Sequence, residues 1–126
     1  MLNTPIISIV DDDDTIRVSL DSLVRSMGYI SRTYACAEDF LASAPDDSIA
    51  CLISDIRMPG MSGLELLEAL QARGEQFPVI FITACMGDHP ALKARELGAA
   101  GYFKKPFSGR QLMAHVQQVI GVQLTD

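Results

Sequence analysis

Apolar positions along the chain switch between two periods, short unbroken runs and spacings of three or four, and they do so five times. Ile6-Ile7-Ser8-Ile9-Val10 is a run of strand type. Ile16, Leu20, Leu23, Val24 and Met27 then recur at helical spacing, and Gly28 follows where a helix would end. Residues 29–34 form the least apolar strand candidate, and their polar members place it near a sheet edge. A short helix over residues 37–44 precedes Pro45-Asp46-Asp47. Residues 50–54 are the third strand, and Ser62-Gly63-Leu64-Glu65 carries the S-x-x-E capping box of a helix with Leu64, Leu67 and Leu70 on its apolar face and Gly74 past its end. Val79-Ile80-Phe81-Ile82 is a fourth strand, residues 90–97 a helix ending at Gly98, and Gly101-Tyr102-Phe103 a brief fifth strand. Ser108 is placed to cap a last helix with Leu112, Val116, Val119 and Ile120 on its face, ending at Gly121.

Nearly continuous apolar strands alternating with helices predict a parallel, doubly wound α/β sheet covered on both faces, with right-handed crossovers. A length of 126 residues and a hydrophobic fraction of 48% suit one domain; we expect it over residues 1–121, with 122–126 a tail or the stub of a linker. The net charge of −6, with no basic run longer than Lys104-Lys105, argues against nucleic-acid binding by this segment. Cys36, Cys51 and Cys85 are widely spaced and lack metal-ligand spacing, which suits reduced thiols. No secretory signal and no run of membrane-spanning length is visible, so the expectation is a cytoplasmic protein without membrane association.

In an open parallel sheet, ligands collect beyond the carboxyl ends of the strands. That edge gathers Asp11 and Asp12 after the first strand, Asp55 after the third, Thr83 after the fourth and Lys105 after the fifth. Crowded carboxylates repel one another, and a hard divalent cation such as Mg²⁺ relieves the repulsion through oxygen ligands. A carboxylate can also attack phosphorus to give an aspartyl phosphate, with positioning and charge neutralisation supplying the catalysis. Lys105 supplies a mobile positive charge and Thr83 a hydroxyl for a phosphoryl oxygen. Taken alone, Asp13 or Asp14 reads equally as a helix N-cap, and Lys104 as a solvated charge.

The ordered set Val10-Asp11-Asp12, Asp55-Ile56-Arg57-Met58-Pro59-Gly60-Met61-Ser62-Gly63, Thr83-Ala84 and Lys105-Pro106-Phe107 resembles the receiver domain of two-component response regulators, over essentially the whole chain. The resemblance implies a (βα)5 flavodoxin-like three-layer sandwich with strand order 2-1-3-4-5. It implies phosphorylation of Asp55 by a partner histidine kinase, promoted by the receiver itself with Mg²⁺ or another divalent cation such as Mn²⁺. Carried over by motif position, Asp12, Asp55 and the Arg57 backbone carbonyl would bind the metal, and Asp11 would help through a water. Lys105 would bind the phosphoryl group, and Lys105-Pro106 resembles a bond that is often cis in the family. Thr83 and Tyr102 match the family's hydroxyl and aromatic switch positions.

The same resemblance implies a dimerisation or partner face over residues 90–97, 101–103 and 108–120, and the loop after Asp55 looks most like that of transcription regulators carrying a helix-turn-helix. Arg57 and Cys85 stand two residues after Asp55 and Thr83, positions that influence how long the phosphoryl group survives. His89 and His115 read as solvated side chains. Two rival readings stand beside this one. Residues 9–15 also fit the DxDxT start of a haloacid-dehalogenase-type phosphatase, with Asp11 as nucleophile and Asp13 as acid/base, although no later acidic pair completes it. The other is a phosphorylation-independent interaction module.

Overall fold

In the computed structural model, which describes residues 4–43, 49–84 and 89–124 (side chains to residue 121), five strands and five helices alternate strictly. They are β1 (Ile6–Val10), α1 (Asp14–Ser26), β2 (Ile30–Tyr34), α2 (Ala37–Ala42), β3 (Ile49–Asp55), α3 (Gly63–Ala72), β4 (Val79–Thr83), α4 (His89–Glu96), β5 (Gly101–Lys104) and α5 (Gly109–Leu124). The sheet is parallel throughout, in the order β2-β1-β3-β4-β5. The doubly wound three-layer sandwich expected from the pattern is therefore present, and β2, with its exposed polar residues, is an edge strand. The Pro45-Asp46-Asp47 loop and the stretch from Cys85 to Asp88 lie outside the described residues.

Alternation along each strand sorts the core into two halves, because successive side chains point to opposite faces of a sheet. Ile7, Ile9, Cys51, Ile53, Ile80 and Ile82 meet Leu20 and Val24 of α1 and Leu112, Met113, Val116 and Ile120 of α5. Val10, Leu52, Val79 and Phe81 meet Phe40 of α2, Leu66, Leu67 and Leu70 of α3, and Ala94 of α4. The α3 face differs slightly from the expected one: Leu66 is fully buried, while Leu64 is only half-buried. Burial of Cys51 pushes its thiol up to about 12, so it behaves as an apolar core side chain.

Local chemistry sets the helix ends. Asp13 is the N-cap of α1, accepting from the Thr15 and Ile16 amides at 2.9 and 3.3 Å. The Ser62–Glu65 capping box is complete. Ser108 Oγ accepts from Gln111 N–H at 3.2 Å at the start of α5. Gly28, Gly74 and Gly98 take the left-handed conformation after their helices. Gly121 does not: α5 passes through it to Leu124, so the expected helix end there is corrected. A glycine permits a helix to stop but does not compel it, and the cost of one inside a helix is only about 1 kcal/mol. α2 stops at Ala42, short of the expected residue 44, and α4 begins at His89, which is thus helical and exposed rather than in a loop.

Gly63 is fixed by a close approach. A Cβ there would lie 2.2 Å from the carbonyl oxygen of Asp55 and 3.0 Å from Ile56 Cα. Both obstacles are backbone, so neither can swing aside. Gly63→Ala is expected to lower stability by about 1–3 kcal/mol, the usual range for overpacking, read as a reduced urea midpoint with an unchanged slope.

Candidate functional site

Register brings the chemistry to one edge. Val10 pairs with Ser54, Asp55 with Ile82, and Thr83 with Lys104. Asp11, Asp55, Thr83 and Lys105 therefore cluster at the carboxyl ends of four adjacent strands. The carboxylate oxygens of Asp11, Asp12 and Asp55 lie within 4.8 Å of one another, and these residues form the one group among those described that could hold a metal ion. Asp11 and Asp55 are buried, and Asp12 is exposed on the rim.

Lys105 Nζ sits between the two buried acids, 3.2 Å from Asp11 Oδ2 and 3.3 Å from Asp55 Oδ2. It donates a hydrogen bond to Asp55, whereas Asp11 Oδ2 is paired with it as an ion pair and has no aligned hydrogen bond among the described residues. The other Asp11 oxygen accepts from Asp13 N–H at 2.9 Å, and Asp55 Oδ1 accepts from Arg57 N–H at 3.3 Å. The peptide bond between Lys105 and Pro106 is cis.

One lysine does not balance this site. Burial raises the carboxyl of Asp55 above its ordinary value, and the Asp11 charge raises it further. Burial likewise raises Asp11, despite the Asp13 amide and Lys105. Burial pulls Lys105 downward, but Asp55 and Asp11 together hold it above the usual lysine value, so it is charged at neutral pH. Three carboxylates, one with a buried oxygen lacking a hydrogen bond, make a donor set of the hard, all-oxygen kind that suits Mg²⁺.

Thr83 is fully buried at the end of β4, and its carbonyl accepts from Lys105 N–H at 2.8 Å. Tyr102 is half-buried, pairs with Phe81 across the β4–β5 ladder and packs with the apolar cluster beneath α3 and α4. Two residues on from Phe81, Thr83 shares that face of the sheet with Tyr102. Arg57 is exposed, and Cys85 lies outside the described residues. The side chain of Asp13, a candidate acid/base, is taken up by capping α1. His115, read as a surface residue, is half-buried: its Nε2 lies 2.7 Å from the Ala100 carbonyl, and its ring meets Phe103 edge-on.

Three contacts around the site escaped the sequence reading. Arg17 Nη1 donates to the Asp11 carbonyl at 2.7 Å while Nη2 pairs with Asp14, pinning the acidic turn. The i,i+3 spacing of Asp14 and Arg17 was a usable signal for the second of these. Glu38, 23 residues away from its partner, accepts from Met61 N–H at 2.9 Å, and no local pattern announces it.

The Response regulator receiver domain family model matches residues 7–117. Among curated proteins, the transcriptional regulatory protein FixJ of Azorhizobium caulinodans is 40% identical over 116 residues, covering 91% of this chain and 54% of its own length. The response regulator protein TodT of Pseudomonas putida is also 40% identical over 116 residues, covering 91% of this chain and 51% of its own. The chain thus spans about half the length of these relatives. Among solved structures, a response regulator receiver protein from Pseudoalteromonas atlantica superposes with a TM-score of 0.89 at 30% identity, covering 94% of this chain and 99% of its own. The crystal structure of FixJ-N gives 0.82 at 34%, covering 95% and 96%.

The raised carboxyls set a sign. Between the ordinary carboxylate value near 3.8 and the raised one, the folded chain binds more protons than the unfolded chain, so stability falls as pH rises through that window. Above it the penalty of holding the ions stays constant. Asp11→Asn is therefore expected to raise the melting temperature of the metal-free protein by several degrees at pH 7.5. That gain should close as pH drops toward 3.8, as followed by circular dichroism.

Proposed function

The chain belongs to the response regulator receiver family, and on that premise we propose that it is a phosphorylation-controlled switch whose phosphoryl acceptor is Asp55 and whose donor is a histidine kinase. The observation that carries the reading is the meeting of Asp11, Asp12, Asp55 and Lys105 at one strand edge, in the order of the family's motif. Asp55 is the acceptor because it is buried at the centre of the edge, with one oxygen bonded to Lys105 and the other to the Arg57 amide.

In the proposed step, an Asp55 oxygen attacks phosphorus as the bond from phosphorus to the kinase histidine breaks. The histidine nitrogen keeps the electron pair, and Asp55 becomes an acyl phosphate. Asp12, Asp55 and the Arg57 carbonyl would hold Mg²⁺, with Asp11 assisting; when bound, the ion supplies neutralisation of the oxygens on the transferring group. Lys105, already charged and already against Asp55, moves onto a phosphoryl oxygen. Thr83 then follows with its hydroxyl and Tyr102 turns inward, carrying the change to the face of α4, β5 and α5. The energy for that change is the difference in contact that the phosphoryl group makes with the two states. The domain promotes only its own phosphorylation and dephosphorylation and acts on no outside substrate.

Control of transcription is the proposed output, supported by the FixJ relative, which is named a transcriptional regulatory protein. With a net charge of −6, this domain acts there through protein contacts, including a second copy over residues 90–97, 101–103 and 108–120. The exposed Leu92 on α4 supports that face. The phosphatase reading has less support, since Asp13 is committed to its cap.

Labelling from a small acyl phosphate in Mg²⁺ tests the assignment. Asp55→Asn should abolish incorporation, and Asp13→Asn should leave it within about twofold of the original chain, since asparagine keeps the side-chain oxygen that caps α1. Loss confined to an Asp11 variant would overturn the acceptor assignment. A phosphate-mimicking fluoride complex added with Mg²⁺ should shift the resonances of Thr83 and Tyr102; silence there would favour a phosphorylation-independent module.

A further inference from the structure

The segment from Arg57 to Met61 is fastened from two directions. Its base is closed locally: Gly63 N–H donates to the Ile56 carbonyl at 2.8 Å, and Ser62 N–H donates to Glu65 Oε1 at 2.9 Å. The remaining tie comes from another element. Glu38, exposed in the first turn of α2, accepts the adjacent amide, Met61 N–H, at 2.9 Å. That bond favours the ionised carboxyl and holds Glu38 below the usual glutamate value.

Gly60 carries a second, independent sign of the same fit. Its φ is +77°, and a Cβ on it would lie 2.6 Å from Glu38 Oε2, so the carboxylate fills the space that a side chain would take. Met58 and Met61 pack with Ala37 and Phe40 of α2 in one apolar cluster. Charge, backbone conformation and packing thus all join α2 to this segment, while none of the acceptor chemistry uses Glu38.

We propose that Glu38 is a positioning residue for cation binding at the acceptor site, acting by holding residues 57–61 in place. This inference rests on the receiver reading, in which the Arg57 carbonyl is a ligand. Arg57 N–H bonds to Asp55 Oδ1, so the segment also sets the orientation of the acceptor itself. A cation that demands fixed oxygen ligands binds more weakly when binding must first order one of them. The role needs an acceptor atom at the Met61 amide and not a negative charge, so glutamine should serve in place of glutamate.

The test is calorimetric titration of Mg²⁺ into the metal-free chain, alongside hydrogen exchange of the Met61 amide. Glu38→Ala should weaken Mg²⁺ about fivefold, less than the roughly 10–100-fold lost with buried outer-shell partners, and should speed Met61 exchange. Glu38→Gln should stay within about twofold of the original chain in both readouts. A purely structural role would lower the melting temperature while leaving Mg²⁺ affinity unchanged. A folded Glu38→Ala chain binding Mg²⁺ within about twofold of the original overturns the proposal, as does an equal loss in Glu38→Gln, which would mean that charge acts at a distance. Should Glu38→Ala fail to fold, Glu38→Leu, which keeps an apolar stem of similar reach and removes the acceptor oxygen, decides on the same threshold. An original chain that binds no Mg²⁺ sinks both readings, whereas normal binding that is indifferent to Glu38 sinks this one alone.

Discussion

Asp11 and Asp55 are two acids that a folding chain would ordinarily keep apart and in water, and here they share one lysine in a buried corner. Burial disfavours both charges, and the Asp11 charge further disfavours that of Asp55, so Lys105 relieves the strain without cancelling it. Much of the surrounding architecture holds that arrangement in place. β1 and β3 are neighbours at the centre of the sheet, and the Asp13 amide, the Arg57 amide and the Arg17 guanidinium each take an oxygen on or beside the acids. A group that brings positive charge to the edge meets a site already organised to receive it, and one that adds negative charge to Asp55 must take Lys105 with it.

The sheet explains why the acids can sit there. Strand pairing fixes the backbone of each ligand-bearing turn to its neighbour, and the two apolar clusters clamp the sheet from both sides. Gly63 extends this rigidity to the turn after Asp55 by allowing backbone to lie directly on backbone. The stability of the aliphatic core thus holds an electrostatically unfavourable edge in position, which is where strained functional groups are commonly tolerated.

The order of elements, their helical or strand character and the edge position of β2 were legible in the sequence, because each rests on local periodicity. The convergence of Asp11, Asp12, Asp55 and Lys105 was legible too, since a parallel sheet places all strand ends on one side. Contacts that depend on three-dimensional neighbours were not. The partner of Glu38 lies 23 residues away in another turn, and His115 looked like a surface residue because its acceptor, the Ala100 carbonyl, is a backbone atom with no signature of its own. Gly121 misled for a different reason: the three earlier helices that end at glycine do so with positive φ, and nothing in the residue name distinguishes a glycine that stops a helix from one that rides inside it.

The five helices are not equally anchored. α1 and α3 each drive several aliphatic side chains into the core, whereas α4 buries Ala94 alone and leaves Leu92 in solvent. Its end is tied to α3 by a hydrogen bond from the Gln71 side chain to the Leu97 carbonyl, and its middle by the long Lys93–Glu68 pair, both at the surface. Sliding or tilting α4 therefore sacrifices little buried area, less than the same motion of α1 or α3 would. A helix so lightly moored works as a compliant lever on a stiff frame: a modest push at the sheet edge is spent on displacement at the surface instead of being absorbed as deformation of the core.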